Sequence, residues 1–114
     1  MAVNNLGLPD AVLESVVEVL DKHPSITSAK VFGSRAKGTN KQYSDVDIAI
    51  FVTDGTKLAP VIKDELEELD TIYTFDVLDY HQTQNPKIKA HIDRVGVEIL
   101  HFEAPLMSGK SQVK

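Results

Sequence analysis

The sequence predicts an α+β fold, a mixed β-sheet with helices packed against it, on three observations. Helical and strand periodicities alternate along the chain in the order helix, strand, strand, helix, strand, helix, strand. The first two strand-like segments are joined by a stretch too short for a full crossover helix, which points to an antiparallel pair with a short helical turn between them. The length of 114 residues suits one hydrophobic core.

Each element has a local cause. Between Pro9 and Lys22 the apolar residues Val12, Leu13, Val16, Val17, Val19 and Leu20 recur at helical spacing. Pro9 suits a first-turn position, where its missing donor costs nothing, and Pro24 closes the segment. Ala29-Lys30-Val31-Phe32 reads as a short strand stopped by Gly33-Ser34. Val46 to Val52 is the clearest strand: Val46, Ile48, Ile50 and Val52 share one face, Asp45, Asp47, Ala49 and Phe51 the other.

Asp54-Gly55 turns the chain, and Leu58, Ile62, Leu66 and Leu69 then form one stripe of a helix whose outer face carries Lys63, Asp64, Glu67 and Glu68. Ile72 to Leu78 returns to strand character. Asn85-Pro86 starts a further helix with Ile88, Ile92 and Val95 inward, and Val97 to Phe102 is a last strand. Residues 1–104 are expected to form a single domain, and the polar stretch 105–114 a loose tail.

Composition excludes several classes of function. Acidic residues outnumber basic ones 17 to 12, for a net charge of -5, so a nucleic-acid polymer is disfavoured as a partner. A local group of Arg35, Lys37 and Lys41 could still hold a small phosphate ligand. With no cysteine, disulfides and thiolate metal sites are ruled out. No stretch approaches the roughly 18 apolar residues of a membrane span, and the chain start lacks a signal-peptide pattern. A cytoplasmic protein is the expectation.

Three features carry chemistry. Asp45 and Asp47 stand at i and i+2 of a strand, with alpha carbons roughly 6.5 Å apart on one face. Carboxylates that close repel unless a proton or cation lies between them, and hard oxygen ligands of this kind suit Mg²⁺. A solvated strand end is the plain alternative. Val31-Phe32-Gly33-Ser34-Arg35 is a strand that ends in a turn able to present backbone N–H groups to an anion; a tight turn with Ser34 as a helix cap is the common alternative. Asp76, between Phe75 and Val77, is costly inside a strand if buried and unpaired. It makes sense if a neighbouring strand brings Asp45 and Asp47 alongside.

One near-match is rejected. Gly33 to Thr39 approaches the phosphate loop G-x-x-x-x-G-K-[ST], but Thr39 stands where the lysine must be and no long helix follows. His23, His81, His91 and His101 lie far apart without zinc-site spacing, so none is assigned to the site.

Together, Phe32-Gly33-Ser34, Asp45-Val46-Asp47-Ile48 and Phe75-Asp76-Val77 resemble the DNA polymerase beta-like nucleotidyltransferases, most of all their minimal, stand-alone members, often encoded beside a helical HEPN-type partner. The resemblance spans nearly the whole domain and implies the nucleotidyltransferase fold. It implies that Gly33 and Ser34 bind the phosphates of an NTP, most often ATP, with Arg35 and Lys37 as lesser phosphate contacts. It further implies that Asp45 and Asp47 hold two Mg²⁺ ions, and that Asp76 ligates the catalytic one and helps to deprotonate an acceptor hydroxyl.

The expected function is transfer of a nucleoside monophosphate, AMP above all, to a hydroxyl of a HEPN-type partner as an antitoxin, with a homodimer or hetero-oligomer possible. Two alternatives stand beside it. One is a partner-binding antitoxin subunit with little or no catalysis. The other is a small-molecule, aminoglycoside-like nucleotidyltransferase, whose relatives generally carry an extra acceptor domain.

Overall fold

The computed structural model describes residues 6–38 and 45–101. Along the chain run α1 (Asp10–Asp21), β1 (Ile26–Phe32), α2 (Ser34–Lys37), β2 (Val46–Val52), α3 (Ala59–Glu67), β3 (Phe75–Asp79), α4 (Pro86–Val95) and β4 (Val97–His101). The strands form one sheet in the order β3-β2-β1-β4. β1 runs antiparallel to both β2 and β4, whereas β2 and β3 are parallel. The connection that carries α3 lies between this parallel pair, as the geometry of parallel strands requires. The mixed sheet with packed helices is the fold expected from the sequence.

Strand alternation decides which face is core. Val46, Ile48, Ile50 and Val52 are buried in a cluster with Val16, Val19 and Leu20 of α1 and Ile62 and Leu66 of α3. The opposite face carries Asp47, Ala49 and Phe51 along β2. Its cover is α4: Phe32 meets the His91 ring edge-on at 6.2 Å, and a Cβ on Gly96, just past the helix, would lie 3.0 Å from the Lys30 side chain. Ala49 and Ile92 are fully buried yet lie outside the first cluster. Two helices therefore cover one face, while α4 covers the other only in part.

Element boundaries moved where pairing, not propensity, sets them. β1 begins at Ile26, three residues before the run at Ala29, because Ile26 pairs with Val52 at the far end of β2. β3 begins at Phe75 and not at Ile72: the parallel register opens at Val46 opposite Phe75, so Ile72 has no strand beside it and stays 69% exposed. Pro9 serves as the N-cap of α1, one position earlier than a first-turn residue, and its carbonyl accepts from the amides of Val12 and Leu13. α4 starts at Pro86 because the Asn85 side chain accepts from the Lys87 amide at 2.9 Å. The expected tail at 105–114, Lys41 and Phe102 lie outside the described residues.

Candidate active site

β1, β2 and β3 converge at one end of the sheet. The antiparallel register sets Phe32 opposite Asp47, so the chain turns out of β1 at Gly33 beside the start of β2. The parallel register sets Asp47 opposite Asp76. Paired residues of neighbouring strands sit roughly 5 Å apart with their side chains on the same face. Asp76 thus stands next to Asp47, and Asp45 lies two residues before Asp47, just ahead of β2. The sequence placed three acids on two segments; the sheet brings them to one edge.

Gly33 is fixed by this crowding. Its backbone angles are φ 79 and ψ -151, in a region essentially closed to side chains. A Cβ here would collide with Asp47 Oδ2 and lie 3.3 Å from Asp47 Cγ. Glycine is thus needed twice over, once for the conformation and once for the carboxylate resting against it. The turn then winds into α2, where the Lys37 amide donates to the Gly33 carbonyl at 3.1 Å, and ends on Gly38 in the left-handed region. Ser34 is the first residue of α2, partly buried, and not its cap, a position held by Gly33; Lys37 is exposed.

The three carboxylates have different surroundings. Asp45 is exposed and accepts a hydrogen bond from the Thr74 hydroxyl, on the segment leading into β3. Asp76 is also exposed, its side chain 72% accessible, with the Lys63 ammonium 4.0 Å away. Asp47 is half-buried, and its pKa is raised above the ordinary carboxylate value, first by burial and then by the charges of Asp76 and Asp45; the nearby His91 opposes the rise. Burial and like charge both disfavour the ionised form, and a cation shared by the carboxylates would reverse that.

The donor set fits a hard divalent cation only in part. Among the described residues no group of three or more His, Cys, Asp or Glu side chains stands placed to hold a metal ion. Mg²⁺ does not need one: it commonly takes one or two carboxylates and completes its shell with water and substrate phosphates. Gly33 and Ser34 border the same edge, where a phosphate could supply those oxygens.

Arg35 departs from expectation. A phosphate contact would leave its guanidinium at the surface, yet Arg35 is fully buried. It donates to the carbonyls of Leu6 at 2.7 Å and Gly7 at 3.2 Å and lies over the Tyr73 ring at 5.2 Å. One cation thereby ties the N-terminal segment, the turn and the approach to β3 together. Through Nη1 it donates to carbonyls of its own chain, so at least this part of the guanidinium braces the turn.

Two neighbours were not singled out in the sequence. Lys63 donates to the Phe75 carbonyl at 2.9 Å and reaches Glu67 at 3.3 Å as well as Asp76. On its helix it reads as an ordinary outer-face lysine, so no local signal marks it. His91 acts on Asp47 through α4, whose packing is a tertiary fact. Neither of the described cavities is lined by the three acids.

The family model described as polymerase beta, nucleotidyltransferase matches residues 14–103. A protein of Methanocaldococcus jannaschii named putative protein adenylyltransferase is 32% identical over 91 residues, covering 78% of this chain and 95% of its own. Among solved structures, a chain of a toxin–antitoxin complex with AMP-PNP superposes with a TM-score of 0.64 at 20% identity, covering 84% of this chain and 76% of that one. A chain of the complex of tri-AMPylated Shewanella oneidensis HEPN toxin with MNT antitoxin gives 0.62 at 19%, covering 81% and 71%. A minimal nucleotidyltransferase structure gives 0.61 at 22%, covering 85% and 98%. The last three likenesses speak for the fold. With the family pattern matched from the first helix to the last strand and its three acids gathered at one sheet edge, this chain belongs to the polymerase beta-like nucleotidyltransferase family.

Proposed function

We propose that the protein transfers a nucleoside monophosphate, AMP from ATP foremost, to a hydroxyl of a HEPN-type partner protein. The observation that carries this reading is the in-register pairing of Asp47 with Asp76 beside Gly33. It brings the acids and the Gly33 turn, which in this reading takes the phosphates, to one end of the sheet. The relative named for protein adenylyltransferase activity and the toxin–antitoxin neighbours support the direction of transfer toward a protein.

In this reading Gly33 and Ser34 hold the nucleotide's phosphates, with Lys37 in reach from the exposed side of α2. Asp45 and Asp47 would hold two Mg²⁺ ions, and Asp76 would help to hold the catalytic one. Bound there, such ions would lower the pKa of the attacking hydroxyl and offset charge on the entering and leaving oxygens. Asp76, an exposed carboxylate, faces the acceptor and takes up its hydroxyl proton. The hydroxyl oxygen forms a bond to the alpha phosphorus in line as the bond from that phosphorus to the bridging oxygen breaks, and pyrophosphate leaves. Lys63, anchored on the Phe75 carbonyl, holds the Asp76 side chain in place.

The test is incorporation of label from alpha-labelled ATP into a co-expressed HEPN-type partner. Wild type should label the partner only with Mg²⁺ present, and Asp47→Asn should lose at least about 100-fold in rate, as is usual when a group stabilising the transition state is removed. Equal labelling by wild type and Asp47→Asn would refute the enzyme. Labelling of a small aminoglycoside-type acceptor in place of the protein would move the acceptor, not the chemistry.

A further inference from the structure

His91 borders the acids and has no part in the transfer steps above. It belongs to the stripe of α4 that faces the sheet, with Ile88 and Val95 partly buried along it and Ile92 fully buried beside it. The helix is held at both ends and along one flank. The Asn85 side chain accepts from the amides of Lys87 and Ile88, the Gly96 amide donates to the Ile92 carbonyl at 2.8 Å, and the Tyr80 hydroxyl donates to Asp93 at 2.9 Å. A side chain on an element fixed in this way keeps its place when a ligand arrives.

The sheet decides what lies under the imidazole. Phe32 and Asp47 are directly opposed on β1 and β2, so their side chains share a face with Cβ atoms about 5 Å apart. The His91 ring meets Phe32 edge-on, with centroids 6.2 Å apart, and lies near enough to Asp47 to oppose the rise in its pKa that burial and the neighbouring acids cause. Gly33 follows Phe32 and rests against the Asp47 carboxylate. Imidazole, turn and carboxylate thus border one corner. Packing accounts for the ring but not for its nitrogens. His91 is partly buried and makes no hydrogen bond or ion pair among the described residues. His23, also partly buried, has its Nε2 2.8 Å from a Glu65 oxygen, and His81 is exposed at the far end of the sheet against Phe51 and Tyr80. A neutral imidazole carries an N–H that requires an acceptor, and none among the described residues takes that of His91.

We infer that His91 is a nucleotide contact, its ring N–H donating to a non-bridging phosphate oxygen of the NTP held by the Gly33 turn. The inference rests on the transfer reading and adds to it a residue from the cover of the sheet. Phosphate fits this corner for two reasons. Its oxygens are charged acceptors, to which a hydrogen bond is about twice as strong as to a neutral one. The turn and Asp47 would also bring it beside Phe32, against which the imidazole is already packed. α4 then serves as one wall of the site as well as partial cover for the sheet.

The experiment is calorimetric titration of the full chain with MgATP, without a partner, for wild type, His91→Phe and His91→Gln. Phenylalanine keeps a flat ring against Phe32 but has no donor; glutamine keeps an N–H donor but has neither ring nor charge. His91→Phe should weaken MgATP at least about tenfold, the usual scale for a hydrogen bond to a charged group, and His91→Gln should stay within about threefold of wild type. Undiminished binding by His91→Phe would mean a packing role, and equal losses in both variants a role played through charge on Asp47; either result overturns the inference. A readout without substitution decides the matter if a variant does not fold. In ¹⁵N-labelled wild type the ring nitrogen resonances of His91 should shift on saturation with MgATP while those of His23 stay, and no shift at His91 would overturn the contact. Wild type that binds no MgATP up to about 10 mM would remove the transfer reading itself. Wild type that binds MgATP and labels the partner, beside an equally tight His91→Phe, would remove only this contact.

Discussion

Replacing Gly33 by alanine tests the geometry of the site most directly. Two costs coincide at this residue. The backbone, at φ 79 and ψ -151, lies where only glycine is at ease, and a side chain there costs about 1–3 kcal/mol. The new Cβ would also collide with Asp47 Oδ2, and forcing atoms into occupied space adds about 1–3 kcal/mol. The sum, roughly 2–6 kcal/mol, is a large part of the ~5–15 kcal/mol that a domain of this size possesses. The melting temperature should fall by roughly 10 °C or more.

Gly38→Ala is the matched control. Gly38 also has positive φ, 78, but no atom of the described residues lies within 4 Å of where a Cβ would stand, so it should lose only the left-handed cost of about 1–2 kcal/mol. Urea unfolding of both variants, with partner labelling measured on the folded fraction, separates the two costs. Gly33→Ala should also lose labelling by about 100-fold, since a displacement of about 1 Å at a reacting centre is worth that much. In an Asp47→Ala background the steric part should vanish, leaving a coupling of about 1–3 kcal/mol between the two sites. Equal unfolding midpoints for Gly33→Ala and Gly38→Ala, or full labelling by folded Gly33→Ala, would refute the contact between the turn and the carboxylate.

The remaining predictions concern charge. Asp47 has its folded pKa raised above the ordinary 3.8 by burial and by Asp76 and Asp45, so its ionised form opposes folding. That cost is fully present above the folded pKa and disappears as pH falls toward and below the unfolded value. Without Mg²⁺, Asp47→Asn should therefore be more stable than wild type at neutral pH, and the advantage should shrink on acidification; a thermal-melt series against pH that shows no such convergence would contradict it. Arg35→Met should lower stability by about 2–4 kcal/mol, because the carbonyls of Leu6 and Gly7 lose a buried charged donor. Its urea midpoint should drop while the KM for ATP of the folded protein stays within about twofold of wild type, as expected if only uniform binding could change KM and Arg35 makes none; a large rise in KM with unchanged stability would restore Arg35 as a phosphate contact.

The amino-acid sequence alone determined the periodicities, and with them the faces. Val46, Ile48, Ile50 and Val52 had to be buried together, and Ile62 and Leu66 had to meet them, because burial follows a period of 2 in strands and 3.6 in helices. The pattern of Gly33-Ser34, Asp45-Val46-Asp47 and Asp76 likewise marks the family locally, residue by residue. What the sequence left open is whatever depends on partners distant along the chain. The parallel register of β2 and β3 decided that Asp76 stands beside Asp47 and that β3 starts at Phe75. Packing around the turn drew Arg35 inward to Leu6 and Gly7, although an arginine after Gly-Ser reads equally well as a phosphate ligand. His91 and Lys63 acquire their meaning from helices and strands folded against them. Local chemistry is written in neighbours along the chain. Distance in space is set by loop closure and sheet register, which no short window of residues contains.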